Sequence, residues 1–234
     1  MPIYPPDLAE WLASPTGVRL RAAEQAVAAE PLRRVFGCQL LQIGTWGEAH
    51  EFIRLAGTVR RAVCASSMAP GVGLVAEDWQ LPVAGHSVDA VLLPHTHERS
   101  SEPHQLLREV ERVLAPGGRL IVLGFNPWSL AGLRRLLSRG GWPPQIDQVY
   151  SERRLRDWLS LLNFDVTAVQ RYFPAFAESE GRLRHRARRL PGYYGGYLLV
   201  AVKRVHAVTP LRRLWKRPER VPAGLAEPTT RSRL

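Results

Sequence analysis

Long apolar runs are missing from this 234-residue chain. No stretch of eighteen apolar residues occurs, and the opening MPIYPPDLAEWL has neither the positive start nor the apolar core of a signal peptide. A membrane-spanning helix is therefore not expected, and a cytoplasmic protein is. Cysteine is scarce. The two that are present, Cys38 and Cys64, lie inside apolar runs, where a thiol acts as a small hydrophobe, so neither a disulfide framework nor a zinc site is expected. No internal repeat is visible. A Gly-x-Gly-x-x-Gly turn is also lacking after the first strand-like run, which argues against a nicotinamide dehydrogenase.

Net charge is nearly absent from the first three-quarters of the chain. Residues 1–177 hold 18 Lys and Arg against 17 Asp and Glu, whereas residues 178–234 hold 14 against 4, so the last quarter supplies +10 of the net +11. This charge falls in GRLRHRARRLPG, residues 181–192, and in a tail from Lys203 onward. Basic runs of this kind suit nucleic acid, an anionic membrane or another acidic partner; the plainer reading is a solvated segment. For the Pro-, Arg- and Thr-rich tail after Pro210 the plainer reading is preferred, with disorder.

The remainder has the makings of one sizeable core, with 45% hydrophobic and 23% charged residues. Asp7 to Ala13 and Val18 to Phe36 carry helical spacing, with Leu20, Ala23, Val27 and Leu32 on one face. CQLLQI (38–43) is an apolar run too short for a helix and ends at Gly44, the pattern of a strand covered on both faces. HEFIRLA then reads as a short helix, and TVRRAVCA (58–65), LVAED (74–78) and SVDAVLLP (87–94) as further strands. PHQLLREVERVLAPGG is the clearest helix, stopped by Gly117, and RLIVLGF (119–125) is a fifth strand. A loop and helix over Trp128 to Leu137 follow, then the helix SERRLRDWLSLLN and two final strands, FDVTAVQRYF and YYGGYLLVAVK. Strands alternating with helices predict a mostly parallel sheet with helices on both faces. Residues 174–192 contain no apolar helix, so the last strand is expected to return antiparallel beside the sixth.

An ordered set of short motifs then carries a resemblance. Leu81-Pro82, Ser87-Val88-Asp89, His95 and Leu114-Ala115-Pro116-Gly117-Gly118 stand in the order and spacing of the class I S-adenosylmethionine (SAM) dependent methyltransferases, in particular the type 11 group. The match spans about fifty residues, and the surrounding pattern extends it over residues 38–203. The resemblance implies a Rossmann-like, seven-stranded, mostly parallel α/β sheet with an antiparallel last strand. It also implies SAM as cofactor and three parts: a helical lead-in at 1–37, the domain at 38–203 and a basic tail at 204–234.

In such a sheet the nucleotide sits outside the carboxyl ends of the strands, where strand order reverses. The resemblance places adenine near Glu77, Asp78, Trp79 and Leu81. Glu77 and Asp78 offer a carboxylate to the amino group and Trp79 a flat face; the plainer alternative makes Trp79 an edge cover and the acids solvated. Asp89 starts the fourth strand at the far end and reads as structural. The expected Asp-x-Gly-x-Gly-x-Gly aligns instead as Gln42, Gly44, Trp46 and Glu48, with Gly47 one place out of step, and Cys64 stands where an acid usually holds the ribose. An indole in a glycine position must turn away or fill the space. Ser66 and Ser67 are alternative ribose partners.

Catalytic candidates are few. In PHTHERSSEPH, His95 reads as a pocket residue near the methyl donor, and Glu98 or His97 as a general base; a polar turn capping the next helix is an equal alternative. His-x-His invites a metal, but further ligand spacing is lacking, and none is expected. Asn126 and Trp128 in GFNPWSLAGLRR are candidates for the substrate side of the cleft, or for a lid over the core. Arg184 and Arg186, in the loop before the last strand, are candidates for an acidic acceptor. Two functions stay open: a SAM-dependent methyltransferase with an acidic acceptor, and a catalytically silent relative that binds RNA or a protein partner through its basic loop.

Overall fold

The computed structural model describes residues 7–128, 143–146, 148–172 and 195–205. Arg184 and Arg186, the helix expected after Trp128 and almost all of the basic tail lie outside the described residues.

Among the described residues, seven strands form one sheet in the order β3-β2-β1-β4-β5-β7-β6. They are β1 (Gln39–Ile43), β2 (Arg60–Ala65), β3 (Leu74–Val75), β4 (Val88–Pro94), β5 (Leu114–Phe125), β6 (Phe164–Tyr172) and β7 (Gly196–Lys203). Neighbours from β3 to β5 are parallel, while β7 runs antiparallel to both β5 and β6. The sheet is thus Rossmann-like and mostly parallel, with an antiparallel last strand, as the sequence predicts. The order reverses between β1 and β4, so the crevice expected of this architecture opens at their carboxyl ends.

Helices α1 (Leu8–Ala13) and α2 (Pro15–Arg33) pack against one sheet face with Leu40, Ala90, Ile121 and Leu198. The start of α2 is set by Ser14, whose hydroxyl accepts from the Gly17 N–H at 3.2 Å, and by Pro15, which needs no helical N–H there. Its buried stripe is Leu20, Glu24, Ala28 and Leu32, a strict four-residue repeat that includes a carboxylate and replaces the expected face through Ala23 and Val27. The short helix α3 (Thr96–Arg99) follows β4. The other face is covered by α4 (Pro103–Val113), through Leu106, Leu107, Val110 and Val113, and by α5 (Glu152–Leu161), through Leu155 and Leu159. Ser151 caps α5 by accepting from the Arg154 N–H at 3.3 Å.

Several boundaries differ from expectation. The fourth helix stops at Val113 and not at Gly117: Ala115 precedes a proline and is driven to extended backbone, so Leu114 to Gly118 enter β5 through a register shift opposite β4. LVAED shortens to the two-residue β3, and HEFIRLA contains only a 3-10 turn over Ile53–Leu55. Cys38 is exposed, because it precedes β1 at the open amino end of the sheet; Cys64 is buried. Asp89 behaves as expected: its Oδ2 accepts from the N–H groups of Cys38 (2.7 Å) and Gln39 (2.8 Å) and ties the starts of β1 and β4.

Candidate functional site

A cleft of about 270 Å³ lies at the carboxyl ends of β1, β2, β3 and β4. Ile43 and Gly44 enter it from β1, Cys64, Ala65 and Ser66 from β2, and Glu77, Asp78 and Trp79 from the turn after β3. Thr96, Arg99, Ser100 and Ser101 close it from α3 and the loop beyond. The parallel order dictates this convergence, since every one of these strands delivers its following loop to the same edge.

Gly44 adopts φ +82°, and a Cβ there would lie 2.7 Å from the Thr96 hydroxyl, so the first loop and the β4 loop can approach this closely only with glycine. The Thr96 hydroxyl donates to the Ile43 carbonyl, and Arg99 Nη1 donates to the Thr45 carbonyl at 2.8 Å. Burial pushes the Asp78 carboxyl above its ordinary range, against a hydrogen bond from Ser100. The Cys64 thiol is likewise pushed up, by burial first and by the Asp78 charge second.

Behind the first loop lies a second polar cluster, closed to solvent. The Trp46 indole N–H donates to Glu24 Oε2 at 2.7 Å, while Glu24 Oε1 accepts from His95 Nε2 at 2.9 Å and from the Tyr172 hydroxyl at 2.9 Å. His95 Nδ1 meets Glu98 Oε2 at 2.7 Å, and Glu98 Oε1 accepts from the Phe125 N–H at 2.7 Å. The His95 ring stacks between Trp46 (4.3 Å) and Phe125 (4.1 Å). Burial disfavours its charge, but the carboxylates of Glu24 and Glu98 outweigh that and carry its pKa up to about 9, so both ring nitrogens donate. His97, also buried, is held at about 3 by desolvation and by the neighbouring His95 charge. Its Nδ1 has no hydrogen-bond partner among the described residues.

The sequence-derived candidates therefore divide. Gly44, Cys64, Glu77, Asp78 and Trp79 come together on the cleft wall. Trp46, Gly47, Leu81 and His95 do not. Trp46 is fully buried with Glu24; Gly47, at φ +79°, lies against Arg21 and Glu51; Leu81 is buried in the core on the α4 face, its N–H given to Glu109 at 3.0 Å. The two catalytic candidates, His95 and Glu98, are sealed in the second cluster and face each other, so neither offers a free lone pair to the cleft. Asn126 is buried past β5 and accepts from the Trp128 N–H at 3.2 Å, while Trp128 is 82% exposed; neither lines the cleft. Sequence reasoning missed Glu24, Thr96 and Arg99. A carboxylate inside the repeat Leu20, Glu24, Ala28, Leu32 was the available signal for the first. Among the described residues no group of three or more His, Cys, Asp and Glu is placed to hold a metal, and no helix is long and apolar enough to cross a membrane.

Comparison with known proteins agrees with this architecture. The family model described as "Methyltransferase domain" matches residues 25–122. The Escherichia coli (strain K12) protein YafS is 36% identical over 163 residues, covering 69% of this chain and 67% of its own length. A chain from the complex between the Haloferax volcanii Trm112 methyltransferase activator and a methyltransferase superposes with a TM-score of 0.61 at 20% identity, covering 86% of this chain and 97% of its own. Geranyl diphosphate methyltransferase in complex with SAM superposes with a TM-score of 0.56 at 18% identity, covering 83% and 94%. With its sheet order, its cleft at the β1–β4 reversal and these relatives, the chain belongs to the class I SAM-dependent methyltransferase family.

Proposed function

We propose that the protein binds SAM in the cleft and transfers its methyl group to an acidic acceptor. The observation that carries this reading is the position of the cleft: it joins the ends of β1 to β4 and puts Asp78 and Trp79 beside Gly44. The residues present suit the cofactor by their chemistry. Asp78 offers an acceptor to the adenine amino group, Trp79 an apolar face to the ring, and Ser66 a hydroxyl beside Cys64, where the usual ribose acid is missing. Trp46 leaves the space free, because its indole is turned into the core by Glu24.

When bound, SAM supplies an activated methyl group on a sulfonium, so the protein's task is to position two partners and keep water from between them. His95 and Glu98 serve this by holding the loop after β4 against Trp46 and against the end of β5, as positioning residues and not as a base. The acidic acceptor is supported by topology. β6 ends at Tyr172 and β7 begins at Gly196, both paired at the carboxyl edge, so the arginine-rich connection carrying Arg184 and Arg186 starts and finishes on the cleft side. Replacing the five arginines of residues 182–189 is expected to weaken RNA retention in filter binding, with a shallower salt dependence; unchanged retention would remove RNA from the candidate acceptors.

The second reading, a silent relative acting through that basic loop, is favoured by one observation. The loops after β1 and β4 are bound to each other through Thr96 and Ile43, Arg99 and Thr45, and the Trp46–His95 stack. Calorimetry with S-adenosylhomocysteine, joined to an assay of labelled methyl incorporation into RNA, separates the two. Binding with incorporation supports the enzyme, and binding without it supports the silent form.

A further inference from the structure

Among the described residues Arg99 is the sole cation on the cleft wall, and none of them supplies its charge with a paired counter-ion. One N–H, on Nη1, is committed to the Thr45 carbonyl at 2.8 Å. Among the described residues, the buried Nε has no hydrogen-bond partner and no carboxylate stands within ion-pair distance of the guanidinium. Arg21 and Arg112 differ, since each is paired, with Glu51 and Glu109 respectively. Burial lowers the Arg99 pKa, and the more distant Asp78 only partly offsets this. A cation withdrawn from water in this way is costly unless an anion meets it, and here the guanidinium borders open space in which one could.

The chemistry of that anion follows from the rest of the wall. Glu77 and Asp78 lie at the β3 end and Arg99 on α3, so the lining carries two negative charges and one positive. Such a wall disfavours a polyphosphate and suits a ligand that presents hydrogen-bond donors at one end and a single carboxylate at the other. The bond to Thr45 fixes the guanidinium before any ligand arrives, and the planar fork matches a carboxylate. Arg99 shares the cleft wall with Cys64, which supplies no charge to the ribose, so a charged contact elsewhere on the ligand gains weight.

Resting on the cofactor reading above, we propose that Arg99 is a specificity-determining residue that takes the α-carboxylate at the amino-acid end of SAM. Asp78 and Trp79 hold the adenine. Recognition of the cofactor thus shifts from the ribose to the amino-acid end in this chain.

Calorimetry on the full chain with three probes tests this: S-adenosylhomocysteine, 5′-methylthioadenosine, which lacks the amino-acid end, and AMP. The wild type is expected to bind S-adenosylhomocysteine about 10- to 100-fold more tightly than 5′-methylthioadenosine, the range for a hydrogen bond to a charged group. Arg99→Gln is expected to abolish that margin while leaving 5′-methylthioadenosine affinity unchanged, and Arg99→Lys to restore part of it. Equal wild-type affinity for the two nucleosides, or equal weakening of both by Arg99→Gln, would overturn the assignment and leave SAM binding intact. AMP binding more tightly than S-adenosylhomocysteine would replace the carboxylate by a phosphate and overturn it too. If no probe binds a folded wild-type chain at millimolar concentration, the cofactor reading itself fails.

Discussion

The Trp46 indole N–H and the Glu24 carboxylate meet at 2.7 Å inside the core, both fully buried. This bond answers what a tryptophan does in a loop where glycine is the rule. The side chain is drawn away from the cleft by α2, a helix that precedes the sheet, and that helix thereby becomes part of the architecture behind the cleft. Through the same carboxylate, α2 is tied to the loop after β4 by His95 and to β6 by Tyr172.

Removing Glu24 should therefore be severe. Glu24→Ala strands a buried imidazolium, a tyrosine hydroxyl and an indole N–H, and a loss of about 3–5 kcal/mol is expected, as for breaking a buried ion pair. Urea denaturation reads the loss directly. Glu30→Ala, one helix turn and a half further on, removes only an exposed pair with Arg34 and should leave the midpoint nearly unchanged. Equal effects of the two substitutions would contradict the role given to the cluster.

Stability should depend on pH in opposite senses through two adjacent histidines. His95 is raised to about 9, so its contribution is complete below about pH 6.5, the ordinary histidine value, and is lost as pH rises through 9. Glu98, raised by its own burial, acts with the same sign. His97 is lowered to about 3, so its contribution is complete above about 6.5 and declines as pH falls below that. Melting temperatures measured from pH 5 to 10 should fall on both sides of neutrality. His95→Gln should flatten the alkaline side selectively; an alkaline side unaltered by that change would show that His95 is not the charged group.

The two thiols offer a probe of the cleft. Cys38 is exposed at the amino end of the sheet, whereas Cys64 is buried on the cleft wall with its pKa raised. A thiol reagent should react first and fast at Cys38. In a Cys38→Ala background, S-adenosylhomocysteine should slow the residual reaction of Cys64. A rate indifferent to the ligand would place the ligand elsewhere.

Much of the frame was legible in advance, for reasons that can be traced to particular residues. CQLLQI and SVDAVLLP are apolar runs too short for helices, and an all-parallel centre is the arrangement that buries such strands on both faces. Gly44, Glu77, Asp78 and Trp79 were found because strand ends are set by chain pattern, and a parallel sheet brings them to one edge. What failed were readings that depend on where a side chain points. Trp46 and Glu24 are 22 residues apart and meet only once α2 lies on the sheet. Arg99 sits in a histidine-rich turn whose histidines drew attention, yet it is the arginine that reaches the cleft. The Leu-Ala-Pro-Gly-Gly segment read as a helix end, but pairing of Leu114 with Val88 brings it into the sheet.

Asp78 should dominate recognition of the adenine over Glu77, because it is half-buried at the cleft while Glu77 is exposed. Asp78→Asn is expected to weaken S-adenosylhomocysteine by about tenfold, the order of one charge-assisted hydrogen bond, and Glu77→Gln by far less. Fluorescence titration of the half-buried Trp79 could follow both. The reverse ranking would mean that the adenine lies further out along the β3 edge.

Whether this cleft takes SAM although its glycine loop is reduced to Gly44 is read out by isothermal calorimetry of the wild-type chain with SAM. A micromolar, one-to-one isotherm that is lost when Glu77 and Asp78 are both changed to alanine is the expected result. An absence of heat at millimolar SAM, from a chain that unfolds cooperatively, would mean that the cleft does not hold the cofactor.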